Sequence, residues 1–472
     1  MVDYLVTGGT VVTQNPEREC LSDGAVAVED GEIHAVGPTA DLEAAVDAEE
    51  RIDASGQIVF PGLVDVHVHV SDILLRGYTG EERELFDWLH NVKSPGTGAM
   101  TGADHRIAAA LYCTEALRAG VTTFVENDLG AAWGAGATET KLDTYDEAGI
   151  RTIYARGILD NPSPGPFAEL KTNKQYREPG VEHPPEFEPP PADAQLEAVE
   201  SLIRERHGEE RLSVWLAPAV VEGVTTDVFR RAADIAAEYD VMTTTHVSES
   251  KFQEHRLTST VEYLDDIGYL GERTLLGHCV HLSERDVRLL AESGTKVAHN
   301  LLTNLRLASG IAPLREMRAH GVPVGLGTDN ATLNDTINPI NDARFAALVH
   351  KGHHEDPGAV TAQEALDMVT IEAARAVRRE DDLGSIEEGK KADFVLLDAE
   401  QAHLTPSPNP IDALVYGAQG PEIETVFCDG EPVVRDGAVR TLDGSHPDLL
   451  DRATEAAADL VERSGIATTG EW

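Results

Sequence analysis

Residues 62–70 read GLVDVHVHV, an apolar run carrying two histidines, His67 and His69, one residue apart. Side chains alternate along a β-strand, so both histidines face the same side. Seven further runs have the same strand-like texture: VTTFVEND at 121–128, RTIYARGILD at 151–160, SVWLAPAVV at 213–221, VMTTTHVSE at 241–249, TLLGHCVHL at 274–282, KVAHNLLTN at 296–304 and PVGLGTDN at 323–330. Between them lie amphipathic stretches such as HRIAAALYCTEALRAG, TDVFRRAADIAAEYD and SERDVRLLAESG, several of which stop at glycine. Eight strand–helix units over about 320 residues predict an α/β chain folded as a (β/α)8 barrel, whose working residues gather at the carboxyl ends of the strands.

The flanks differ. Residues 1–56 alternate short apolar runs with turn signals, and the texture returns in GSIEEGKKADFVLLDAE and TVFCDGEPVVRDGAV. The two ends are therefore expected to build one small β-sandwich from residues 1–56 and 384–440, around a barrel of residues 57–383, with a helical segment at 441–472. One stretch breaks the barrel rhythm: Asn161 to Asp193 holds nine prolines and no apolar period. It reads as a long excursion after the third strand, a candidate lid over the barrel mouth or a plain surface loop.

A chain of 472 residues, 41% of them apolar, has room for a large catalytic domain and a smaller module, which excludes a peptide ligand or a disordered tail. The 83 acidic residues against 38 basic ones give a net charge of −45, which argues against nucleic acid as a partner. Only nine of the basic residues are lysine. A carboxylate-rich, lysine-poor surface reads as that of a halophilic protein, because near 1 M salt the Debye length is about 3 Å and self-repulsion is screened. Cys20, Cys113, Cys279 and Cys428 form no C-x-x-C and are expected to be reduced. The beginning, MVDYLVTGGT, has no basic or apolar leader texture, and no stretch reaches the roughly 18 apolar residues that span a bilayer. The expectation is a soluble, cytoplasmic protein without a membrane partner.

Chemistry enters at the strand ends. Two histidines facing a barrel interior cost free energy unless partnered, and a divalent metal accepts imidazole nitrogens at about 2.0–2.2 Å. H-x-H alone does not establish a metal. His246 near the end of the fifth strand, His278 near the end of the sixth and Asp329 near the end of the eighth stand at the same rim, and this coincidence points to a metal site.

These residues, in PGLVDVHVHV, LLRGY, HVSES, GHCVHLSERDVRLLAESGTKVAHNLLTNLRLASGIAPL and VGLGTDN, resemble the amidohydrolase superfamily over nearly the whole chain. The likeness is greatest to the branch of methylthioadenosine and adenosylhomocysteine deaminases, guanine deaminase-like enzymes and triazine hydrolases. The resemblance implies one divalent metal ion, zinc ahead of iron, held by His67, His69, His246 and Asp329. Dinuclear relatives carry a bridging lysine on the fourth strand, and WLAPAVVEG has none. Glu249, three residues after His246, matches a general acid–base carboxylate. His278 matches a histidine that polarises the attacking water, and Asp329 doubles as a proton acceptor. Among substrate-side positions, Trp88 and His299 match family positions near substrate. Asn304 and Asn330, with Arg306 and Asn334, are placed in loops after the seventh and eighth strands, where polar groups could select a substrate; Asn304 and Asn330 are taken with Trp88 and His299 as substrate-binding, and His281 lies near the same rim.

The sequence also departs from the nucleoside deaminases of this branch. They carry a ribose-binding glutamate some 25–30 residues beyond the first histidine pair, where this chain reads KSPGTGAMTG, and a histidine after the proline of the fourth strand, where Ala219 follows Pro218. An unsatisfied buried hydroxyl costs about 1–3 kcal/mol, which disfavours a ribose. The resulting expectation is hydrolytic removal of an amino or alkylamino group from an aromatic N-heterocycle, a small-molecule substrate, by a homo-oligomer such as a dimer. The alternatives are a chlorohydrolase or cyclic amidase on a related ring, a methylthioadenosine/adenosylhomocysteine deaminase, and a barrel that binds metal without turnover.

Overall fold

The computed structural model describes residues 1–78, 80, 83–128, 136–160, 190–253, 259–442 and 446–466. Seventeen strands are found among them. β1 (Val2–Val12), β2 (Cys20–Glu29), β3 (Glu32–Pro38), β4 (Ala48–Asp53) and β5 (Gln57–Pro61) precede the barrel strands β6 (Leu63–Val68), β7 (Val121–Asp128), β8 (Arg151–Ile158), β9 (Leu212–Pro218), β10 (Thr243–Val247), β11 (Thr274–His278), β12 (Lys296–His299) and β13 (Val324–Leu326). β14 (Phe394–Asp398), β15 (Ile423–Cys428), β16 (Glu431–Arg435) and β17 (Ala438–Val439) follow.

β6 to β13 pair in chain order, and each of these ladders is parallel. The ring closes where Val68 bridges Asp329: the backbone N–H of His69 donates to the Asp329 carbonyl (2.9 Å) and that of Asp329 to the His67 carbonyl (2.8 Å). The seam of the barrel therefore runs through three of the residues singled out above. All eight expected strands are present, each on its expected stretch. The outer helices bury one stripe each, as Thr226–Tyr239 does with Val228, Phe229, Ala232 and Ala236. The helix Glu284–Ser293 starts at a capping box between Ser283 and Asp286 and stops at Gly294 in the left-handed region.

The chain ends build one nine-stranded sheet in the order β17-β16-β15-β14-β5-β1-β2-β3, with β4 branching from β1. The first half of β1 pairs with β4 and its second half with β5, switching at Gly8, whose φ is +82°. A strand that changes partners at a bend lets one hydrogen-bonded sheet form two layers. Val26, Val28, Phe394 and Phe427 share the apolar core so enclosed. The junction with the barrel lies at Pro61–Gly62 rather than at 56/57, because Gln57–Pro61 pairs with β1 and β14. Buried Arg151 ties barrel to sheet through Asp393 (3.2 Å) and Asp429 (3.0 Å). The last helix, His446–Ser464, returns to the barrel, where Arg463 meets Asp104 at 2.6 Å. The proline-rich stretch read as a lid lies outside the described residues up to 189.

Candidate metal centre and active site

His67 and His69 leave β6 on its interior face, with Asp65 two residues earlier. His246 comes from β10, His278 ends β11, and Asp329 follows β13. All five side chains are buried. The Nε2 atoms of His69 and His246 lie 3.3 Å apart, and Asp329 Oδ1 is 3.3 Å from His69 Nε2 and 3.5 Å from His67 Nε2. Ligand atoms of His67, His69 and Asp329, and those of His67, His246 and His278, each converge closely enough to share one ion.

The tautomers explain why these atoms meet. His69 Nδ1–H donates to the Asn127 carbonyl (2.6 Å) and His246 Nδ1–H to the Ala219 carbonyl (2.6 Å). A carbonyl can only accept, so each Nε2 carries a bare lone pair pointing inward. The Asn127 amide lies 3.0 Å from His67 Nδ1, and turning its Oδ1 to that ring gives the third histidine the same arrangement. His67 Nε2 is buried and has no hydrogen-bond partner among the described residues. Bare imidazole nitrogens and a carboxylate facing one another repel unless a cation lies between them, so this donor set fits a divalent metal.

Electrostatics agree with that arrangement. Burial lowers His67 and His278 and drives His69 and His246 well below the usual imidazole range, keeping them neutral. Burial pushes Asp329 up, and positive charge placed among His67, His278 and His69 outweighs it and holds the carboxylate well below its usual range. Ser248, His278, Cys279 and Asp329 all have positive φ. Left-handed backbone at four non-glycine positions around one centre is strain of the kind that clusters at functional sites. Gly327 lets the wall approach: a Cβ there would lie 2.7 Å from His67 Cβ and 2.6 Å from Asn300 Oδ1.

Glu249 stands beside this cluster, its Oε2 3.6 Å from His278 Nε2. Burial first, and the charge of Asp329 second, raise its carboxyl well above the ordinary glutamate range. Its backbone N–H and that of Ser250 donate to Gln253 Oε1 (2.8 and 3.0 Å), and Gln253 Nε2 donates to buried Glu222 (3.1 Å).

The sequence profile of the amidohydrolase family matches residues 58–433, and a bacterial imidazolonepropionase-like composite domain matches residues 24–45. The chain belongs to the amidohydrolase family. This amidohydrolase is 34% identical to the 5-methylthioadenosine/S-adenosylhomocysteine deaminase of Symbiobacterium thermophilum, covering 98% of the present chain and 100% of that one. It is 31% identical to the S-triazine hydrolase of Gordonia rubripertincta, over 100% and 99% of the two chains. Among solved structures it resembles an adenosine deaminase from Xanthomonas campestris with bound zinc, at a TM-score of 0.87 and 25% identity over 98% and 99% of the chains. Membership makes the chain a hydrolase of carbon–nitrogen bonds. Among the described residues no helix is long and apolar enough to cross a membrane.

The substrate-side residues of this amidohydrolase are distributed less simply. Asn304 lies on a short helix, Leu301–Arg306, rather than in a loop, and Arg306 with it. The expected seventh strand ends at His299, because the backbone turns helical after Asn300. Asn304 Oδ1 accepts from His278 Nδ1 at 3.0 Å, so its carboxamide orients a histidine. Asn330 donates to Asp72 and accepts from the Thr332 N–H at 2.9 Å, which engages both ends of its amide. His299 is fully buried with Nε2 3.2 Å from His350 Nε2, and His281 Nε2 donates to the Ser309 carbonyl at 2.8 Å. Asn334 donates to the Thr328 carbonyl at 3.0 Å. Trp88 is buried, with Lys93 Nζ 5.2 Å above its ring.

Sequence reading passed over several residues. Asn127 orients two of the histidines from the end of β7, a position that the strand-end rule alone would have flagged. Asp65, pushed up to about 7 by burial, accepts from the Thr328 N–H (3.0 Å) and hydroxyl (2.6 Å) and so steadies the residue before Asp329. Lys93, one of nine lysines, is buried against Asp72.

Proposed function

We propose that this amidohydrolase removes an amino or alkylamino group hydrolytically from an aromatic N-heterocycle. The observation that carries the reading is the meeting of bare, buried imidazole nitrogens with an ionised carboxylate, next to a second carboxyl group that holds its proton. His67, His69, His246 and Asp329 would hold one divalent metal, for which zinc in a structural relative makes zinc the first choice. When bound, such an ion lowers the pKa of water from 15.7 to roughly 7 and supplies hydroxide at neutral pH.

The protein's own groups move the protons. Asp329, held ionised, accepts the first proton of the attacking water. Glu249, held protonated, gives its proton to the ring nitrogen beside the reacting carbon as the water oxygen bonds to that carbon. His278, its Nδ1–H donated to Asn304, presents Nε2 as an acceptor, now met by the Asn300 amide at 3.4 Å, to the water and so fixes its direction of approach. Asp329 then passes its proton to the departing amine, the carbon–nitrogen bond breaks, and the hydroxyl proton returns to Glu249. The ring gains a carbonyl, ammonia or an amine leaves, and both carboxyl groups regain their starting states.

The relatives include both nucleoside deaminases and a triazine hydrolase. Two features of this chain support a ring without a sugar. Residues 93–102 contain no carboxylate, and Ala219, whose carbonyl holds His246, has no side chain able to meet a sugar hydroxyl. Assaying ammonia release from aminopyrimidines, aminopurines, aminotriazines and methylthioadenosine with metal-reconstituted enzyme in high salt tests the reading. Release of chloride from a chlorotriazine without any amine release would replace it, and preferred turnover of methylthioadenosine would restore the nucleoside assignment. We also propose a homodimer working in the cytoplasm of a salt-loving cell. A molecule whose sedimentation and melting temperature are indifferent to molar KCl would contradict the salt adaptation.

A further inference from the structure

Lys93 is 7% exposed, and its ammonium is 2.8 Å from Asp72 Oδ2. Asp72 also accepts from Asn330, so the pair links the segment after β6 to the loop after β13. An ammonium has three N–H donors and no acceptor, and Asp72 is the one acceptor found for Lys93 among the described residues. Trp88, whose ring lies 5.2 Å from Nζ, is 3% exposed, and its buried indole N–H finds no acceptor among the described residues. Two adjacent side chains thus leave buried donor capacity unused, and nine-tenths or more of buried polar groups are normally satisfied.

The location gives this surplus a direction. Lys93 and the candidate metal ligand His69 line one cavity of about 10 Å³, room for a single water or one projecting oxygen, together with Asp72, Glu126, Asn127 and Asp128. Charge balance restricts what can come there. Asp72 offsets the ammonium, and the nearby carboxylates of Glu126 and Asp128 are met by Lys141. With three carboxylates to two lysines nearby, an extra full negative charge would be opposed, whereas a neutral acceptor would satisfy the idle donors without adding to that excess.

We propose that Lys93, supported by Asp72 and seated on Trp88, determines specificity by donating to an acceptor oxygen on the substrate ring, so that the substrates are uncharged amino-heterocycles bearing a ring carbonyl. This rests on the deaminase reading for the reaction, but not for the contact itself. The test is binding and turnover of cytosine against 4-aminopyrimidine, which differ by that oxygen, in metal-loaded wild type and Lys93→Met. Wild type should bind cytosine about 10- to 100-fold more tightly, the usual worth of a hydrogen bond to a charged group, and Lys93→Met should bring the ratio near one with metal content unchanged. Should that variant fail to fold, Lys93→Met combined with Asp72→Asn removes both charges and is read by the same ratio.

A loss of equal factor for both rings would make Lys93 a structural ion-pair partner and overturn the proposal, as would an unchanged ratio or a wild type that binds neither ring. Discriminating binding with no ammonia released from any ring would sink the deaminase reading and leave the role of Lys93 standing. Ammonia release with an indifferent ratio would do the reverse.

Discussion

Two buried polar clusters stand side by side at the ends of β6 and β7, and they are built on opposite principles. On β6, His67 and His69 meet His246 and Asp329, and the facing atoms are acceptors. On β7, Glu126 and Asp128 meet Lys141, Glu126 also accepts from Tyr145 (2.7 Å) and Asp128 from Tyr154, and Lys141 donates to Ser71 (3.1 Å). The second cluster contains its own cation and the first does not. A balanced buried network is complete as folded, whereas an unbalanced one marks where something from outside is to bind. Polarity and burial alone do not separate the two, since both sit at strand ends in the barrel.

The first cluster depends most on the acceptor that unites it. Asp329→Ala is expected to abolish metal retention and to cut turnover by at least about 10³-fold, since hydroxide at neutral pH depends on the ion. Metal analysis beside an ammonia assay reads both quantities, and chelation of wild type should reproduce the loss reversibly. Full metal content in the variant would mean that the first cluster does not need this carboxylate.

Glu249→Gln probes the same cluster without touching a proposed ligand. Metal content should stay near wild type while turnover falls by a factor of about 10²–10⁴, the usual contribution of a general acid–base group. Undiminished turnover would refute the role.

The second cluster should answer in stability rather than chemistry. Lys141→Met leaves two buried carboxylates without their cation and is expected to cost about 3–5 kcal/mol. Adding Glu126→Gln should recover part of that loss, because burial already pushes the Glu126 carboxyl up against the pull of Lys141. Denaturant unfolding measures both variants. If Lys141→Met instead released metal while melting like wild type, the division between the clusters would be wrong.

How legible each cluster was in the sequence follows from the same contrast. The residues of the first cluster could be singled out because they fall at the ends of recognisable strands, where period-two alternation and strand termini locate side chains without knowledge of partners. The Lys141 cluster could not: its lysine lies in a helix after β7 and its carboxylates on the strand, and nothing local says that they meet. The eight barrel strands were readable for the reason the histidines were. The junction at Pro61 was not, because QIVFPGLVDV is one apolar run and only the pairing of Gln57–Pro61 with β1 and β14 divides it. Asn304 was misplaced because a six-residue helix, Leu301–Arg306, is too short to impose a period on its sequence.

Asn127 lies on β7 between Glu126 and Asp128, touches the histidines of β6, and carries the charge of neither cluster. Its carbonyl fixes the tautomer of His69 and its amide faces His67, while Glu126 and Asp128 on either side of it are held by Lys141. Asn127→Ala keeps the carbonyl and removes only the amide, so one of three imidazoles loses its orienting partner. The expected result is a loss in metal affinity of about 10- to 100-fold, the smallest of these effects, with turnover restored at saturating metal. Unchanged affinity would mean that the ring of His67 is held by packing against Gly277 and Gly327 alone. A loss of global stability comparable to that of Lys141→Met would mean that the two clusters are one cooperative unit.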